Sequence, residues 1–163
     1  MTEWINRPVE IANLFNPAFG AVILYEAVAA YEKEREQGMP YALSFLVFPI
    51  VLHNGTRILL PRGTQTKLHV WIQDNLNVKI DFPSRAQRSV EYTKEAILFG
   101  LQMNIFEIQH NGNISTKPKM LKRPKWQAGT EPNECAKKAA MIGKWFAISG
   151  DASTIFAVWG IHP

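Results

Sequence analysis

Residues 17–38 constrain the rest of the chain most. Asn16 followed by Pro17 sets a capping side chain just ahead of a proline at the first helical position, an arrangement that starts helices. From there Phe19, Val22, Ile23, Ala27 and Ala30 recur at helical spacing, and Leu24, Tyr25, Val28 and Tyr31 add a second apolar side. A helix apolar on two sides must be covered by other elements, so this one is predicted to be largely buried. The run turns charged at Glu32-Lys33-Glu34-Arg35-Glu36, and Gly38 supplies the predicted left-handed stop.

The pattern stays helical for the first two thirds of the chain. Pro40 is predicted to open a second helix, kinked or shortened by Pro49. His53-Asn54-Gly55-Thr56 reads as a turn and Ile58-Leu59-Leu60-Pro61 as a short extended piece. Thr64 is placed to cap a helix running to about Asn75. Asp81 or Ser84 opens a further helix, which the polar stretch Glu91-Tyr92-Thr93 is expected to break. Ile105–Gln109 and Asn113–Thr116 flank an Asn111-Gly112 turn, the strongest short hairpin signal, because a type I′ turn needs positive φ at both central residues. Thr130 with Pro132 starts a last helix that Gly150 ends. The β-branched and aromatic run Thr154–Gly160 reads as a strand apolar on both faces. Helices, a hairpin and a late strand to join it predict a mainly α fold with a small β element. The reading is one α+β domain over residues 1–163, with a helical part at 1–56 and a winged-helix-like part at 57–163.

Composition narrows the function classes. Eighteen Lys and Arg against fourteen Asp and Glu give a net charge of +4, too mild to mark a nucleic-acid binder by itself. The charge is uneven. Residues 1–40 hold six acids and three bases, while 117–125 hold five bases and no acid. One cysteine, Cys135, excludes an internal disulfide and a Cys-rich zinc cage, and suits a reducing cytosol. The N-terminus lacks the order of a signal peptide, and the apolar run 41–52 is too short to span a bilayer. Residues 143–144 lack the upstream glycine of a phosphate loop. His53, His69, His110 and His162 stand apart from one another and from Cys135, so no metal, cofactor or nucleophile–base set emerges. The expectation is a cytoplasmic protein that is not an enzyme.

The best candidate for a polyanion or partner contact is Lys117, Lys119, Lys122, Arg123 and Lys125, with Trp126 beside them. A solvated loop explains the same residues equally well. The helix ahead of the hairpin, 93–103, offers one lysine and almost no base-reading side chains. A winged helix that reads DNA places polar and basic groups there. This one is built for burial, which favours a protein interface over sequence reading.

Three stretches together carry a resemblance. They are Arg7-Pro8, Glu10 and Leu14–Phe19; Gly38-Met39-Pro40, Phe45–Pro49, Leu52-His53 and Thr56-Arg57; and Lys138-Ala139, Ile142–Ala147, Gly150, Thr154-Ile155 and Trp159–Pro163. In order and spacing the chain resembles the middle component of ABC three-component systems, the small subunit of Lamassu-type bacterial defence. The likeness runs from near residue 7 to the C-terminus and is weakest over 104–130. It implies a non-catalytic adaptor between an SMC- or Rad50-like ATPase and an effector, often a nuclease, with DNA reached through weak phosphate contacts or only through the ATPase. Arg57, Lys144 and His162 become candidate partner contacts. The family pattern favours arginine where this chain has Lys144 and His162, so a contact made there is altered here. The reading from a different class is a winged-helix nucleic-acid-binding regulator.

Overall fold

The computed structural model describes residues 16–117 and 120–162. Helix α1 spans Pro17–Arg35, with the Asn16 side chain accepting the Ala18 N–H as predicted. Its stop is one residue past its end. Glu36, not Gly38, takes the left-handed conformation (φ 56°), and its N–H closes on the Glu32 carbonyl. The next elements are strand β1 (Met39–Pro40), a 3-10 turn (Tyr41–Leu43), α2 (Ser44–Val51) and the one-turn helix α3 (Asn54–Arg57). Then come α4 (Leu68–Asp74), a 3-10 turn (Leu76–Lys79), α5 (Phe82–Gln102), β2 (Phe106–Ile108), β3 (Asn113–Thr116), α6 (Glu131–Ile148) and α7 (Ala152–Val158).

The fold is mainly α with one small antiparallel sheet, ordered β1-β3-β2. β2 and β3 form the predicted hairpin, with Phe106 opposite Thr116 and Ile108 opposite Ile114, but the turn is not the type I′ expected: Gly112 takes positive φ (83°) and Asn111 does not, and the Gly112 N–H closes on the Gln109 carbonyl. The third strand is Met39–Pro40, pairing Met39 with Ile114. Gly38 has a different role from the one expected: a Cβ there would lie 2.8 Å from the Ile114 carbonyl, so glycine lets the chain pass close to β3.

The predicted strand at 154–160 is overturned, and with it the late strand assumed in the winged-helix reading. Residues 152–158 are helical because the Asp151 side chain caps the turn, accepting the Thr154 N–H at 2.8 Å. Burial follows a helix too. Ile155 and Trp159, four apart, are fully buried, while Thr154 and Ala157 face outward. The expected break at 91–93 is also absent, since α5 runs unbroken with Tyr92 and Thr93 buried on its inner face. Residues 58–60 turn rather than extend, and α4 begins at Leu68, later than a Thr64 cap required. Pro40 lies in β1, not in a helix, whereas Pro49 does sit inside α2.

One apolar core joins residues from Ala21 to Trp159. α1 lies at its centre, with Ile23, Leu24, Ala27 and Val28 fully buried. α6 and α5 pack on either side of it. Gly143 marks the closest α1–α6 approach, against the Ala27 carbonyl, and Gly20 marks the α1–α5 approach, against Tyr92 and Ala96.

Candidate interaction site

The basic segment is strapped to α1 by its own side chains. The Arg123 guanidinium pairs with Glu26 at 3.2 Å and lies 5.0 Å from the centre of the Tyr25 ring. Trp126 meets Phe19 edge to face at 5.8 Å. Burial pushes the Glu26 carboxyl above the ordinary carboxylate range, and Arg123 pulls it part of the way back. Lys117 pairs with Glu107 at 3.5 Å. Lys119 lies outside the described residues. Lys122 and Lys125 are exposed and have no acidic partner among the described residues. The five-cation cluster thus divides into two residues that fasten the segment, two that face solvent and one not described. Arg123 and Trp126 act as fasteners, which their sequence neighbourhood did not reveal.

Beside the strap lies a cleft of about 270 Å³ lined by Glu26, Arg123, Trp126, Asn133 and Lys137. A second cleft of about 300 Å³ runs along Pro49, His53, Arg85, Arg88 and Tyr92. Arg85 is spent internally. It donates to the carbonyls of Pro49, Ile80 and Val78 and to the Thr56 hydroxyl, at 3.1–3.4 Å. This tie holds the 53–57 and 78–82 segments together, and no sequence pattern pointed to it. His53 caps α3, its Nδ1 accepting the Thr56 N–H at 3.1 Å. Burial, with Arg85 and Arg57 nearby, lowers its pKa and keeps that nitrogen free to accept.

Arg57 is buried at 6% exposure. Its guanidinium donates to the Val51 carbonyl at 2.9 Å, to Asn54 at 3.1 Å and to Glu131 at 2.6 Å. The contact expected to face a partner is therefore turned inward, tying α3 to the start of α6. Only Glu131 of this pair reaches solvent, its side chain 70% exposed. Lys144 and His162 are both exposed. Lys144 lies on the outer face of α6, one turn before the exposed Ile148.

Cys135 packs beneath Arg57, with Sγ 3.8 Å from the Val51 carbonyl. Burial raises its thiol pKa, Arg57 lowers it less, and Glu131 and Glu134 add to the rise. A raised pKa means less thiolate at any given pH, and the thiolate is the reactive form. We expect the folded chain at pH 8 to react with an alkylating reagent at least about tenfold more slowly than the urea-unfolded chain. Equal rates would place Cys135 at the surface. Among the described residues no group of three or more His, Cys, Asp or Glu side chains converges as a metal site. No helix among them is long and apolar enough to cross a membrane.

A sequence model of the family described as "ABC-three component (ABC-3C) system Middle Component 3" matches residues 4–163. No curated protein and no solved structure matches the chain.

Proposed function

Since the chain belongs to the family of middle components of ABC three-component systems, we propose that it is the non-catalytic adaptor of a bacterial defence complex. It would act in the cytoplasm, joining an SMC- or Rad50-like ATPase to an effector, often a nuclease, in a Lamassu-type antiviral or anti-plasmid assembly. The family match across nearly the whole chain carries this reading. The arrangement of charge supports it. Arg57 and Arg85 are engaged inside the fold, Arg123 pairs with Glu26 at the surface, and on α5 Arg88 pairs with Asp81 and Lys94 with Glu91. Each of these five cations already has a partner within the chain.

The test is to express the tagged chain with the other two components of its system. The three are expected to purify together, and the chain alone is expected to hydrolyse neither ATP nor DNA. Turnover abolished by a point mutation in this chain would overturn the adaptor reading.

The regulator reading keeps one observation in its favour. Helix α1, strand β1, further helices and a hairpin, with β1 against the outer side of β3, suit a winged-helix-like arrangement. DNA titration separates the two. Each neutralised phosphate contact adds about 0.9 to the slope of log affinity against log salt. With Lys122 and Lys125 as the solvent-facing cations of the basic segment, the isolated chain should bind random and selected duplexes alike, and Lys122→Ala/Lys125→Ala should lower the slope by about 2. Tight, sequence-selective binding by the chain alone would favour the regulator.

A further inference from the structure

Two acids of α1, Glu32 and Glu26, hold the chain that leaves β3. The Glu32 carboxylate accepts the Thr116 N–H at 3.1 Å and the Thr116 hydroxyl at 2.5 Å. Arg123 then meets Glu26, and Trp126 meets Phe19. The segment therefore runs along α1 against its direction, tied at residues 32, 26 and 19, roughly two turns apart. Side chains alone make the last two ties. Among the described residues no N–H or carbonyl of 121–126 bonds another backbone group.

The middle tie is the one that another molecule can replace. Its two side chains are 55% exposed for Arg123 and 17% for Glu26. Breaking an ion pair so open to water shifts an equilibrium by no more than about fivefold. An anion that reaches the exposed side of Arg123 can take it from Glu26.

The neighbouring residues indicate what carries that anion. No acidic residue occurs between Glu107 and Glu131. Lys122, Arg123 and Lys125 are all exposed, with only Pro124 among them. A protein interface is anchored by large apolar or aromatic groups, and 122–125 offers none. Flexible cations in a row suit a phosphate backbone. Lys117 is engaged by Glu107 and Lys137 by Glu134. Among the described residues Glu26 is the only carboxylate paired with any of the three cations at 122–125. We propose that Glu26 is a built-in competitor, which occupies Arg123 in the free chain and yields it to a nucleic-acid phosphate. This rests on the weak phosphate contact of Lys122 and Lys125 described above, and adds the residue that limits it.

The experiment titrates the isolated chain with a short random-sequence duplex at two salt concentrations. Burial holds the Glu26 carboxyl above the ordinary range in spite of Arg123, so the neutral Glu26→Gln should fold with an unchanged thermal midpoint. It should bind the duplex about threefold more tightly at low salt. That gain should vanish in Glu26→Gln/Arg123→Ala, whose slope of log affinity against log salt should be about 0.9 smaller than that of Glu26→Gln. Glu34→Gln removes the same charge from an exposed position on α1 and should gain less. A gain that survives without Arg123, an equal gain in Glu34→Gln, or no gain in Glu26→Gln overturns the competition. Duplex binding left unchanged by Lys122→Ala/Lys125→Ala overturns the phosphate contact on which it rests. No duplex binding by wild type or Glu26→Gln overturns phosphate as the occupant, and tighter association of Glu26→Gln with another component of the system then assigns Arg123 to a protein carboxylate.

Discussion

Gly143→Ala should cost the fold about 3 kcal/mol, at the upper end of what overpacking does to a tight core. A Cβ at Gly143 would stand 2.0 Å from the Ala27 carbonyl oxygen and 2.8 Å from its carbon. Those are backbone atoms in the middle of α1, and they cannot rotate away as a side chain would. Ala27 itself is fully buried, between the fully buried Ile23 and Leu24 on one side and Val28 on the other. The two helices must part, and the contacts between them weaken together. Alanine's better helix propensity returns only about 1 kcal/mol. At about 2–4 °C per kcal/mol for a domain of this size, the thermal midpoint should fall by about 6–12 °C. Gly20→Ala is the informative comparison. Its added Cβ meets the side chains of Ala96 and Tyr92 at 2.8–2.9 Å. Side chains yield more than backbone, so its loss should be smaller. Reversal of that order, or no change at Gly143, would mean that α1 and α6 do not cross at these residues.

The parts of this architecture that were legible beforehand are those decided by neighbouring residues. Asn16-Pro17 starts α1, Gly112 at positive φ turns the hairpin, and Pro132 opens α6, each through a local backbone preference. The misread parts were decided from far away. Thr154–Gly160 has β-prone residues, but the Asp151 cap and a core that fully buries only Ile155 and Trp159 from this stretch make it a helix. Met39–Pro40 gives no strand pattern, being two residues long, and pairs only because β3 passes beside Gly38. The candidate site divides the same way. The basic cluster at 117–125 was visible as composition, but Glu26 and Tyr25, which hold Arg123, lie nearly a hundred residues earlier. Arg57 reads as a partner contact and Arg85 goes unmarked because the groups that hold them, the Val51 carbonyl for Arg57 and three carbonyls for Arg85, include backbone acceptors. A carbonyl is common to every residue type and leaves no mark in sequence.

Trp159→Ala should be the most damaging of the side-chain truncations, at about 3–5 kcal/mol. Trp159 is fully buried at the end of α7. It stacks on Phe82 with ring centres 4.5 Å apart and planes 25° apart, and lies 6.2 Å from Trp71, which in turn packs 5.4 Å from Trp145. The indole therefore joins α7 to the starts of α4 and α5 and, through Trp71, to α6. Its removal leaves a cavity lined by large rings that cannot close around a methyl group. The indole N–H finds no hydrogen-bond partner among the described residues, so the native side chain already carries the cost of a buried, unmet donor. Trp159→Phe deletes that donor and keeps most of the stacked surface. It should lose much less than Trp159→Ala, because the smaller ring's lost volume is offset by the relief of the N–H. Thermal or urea unfolding of both variants beside wild type decides the point. A phenylalanine variant as unstable as the alanine one would mean that the N–H is bonded in the folded protein. An alanine variant as stable as wild type would remove α7 from the core altogether.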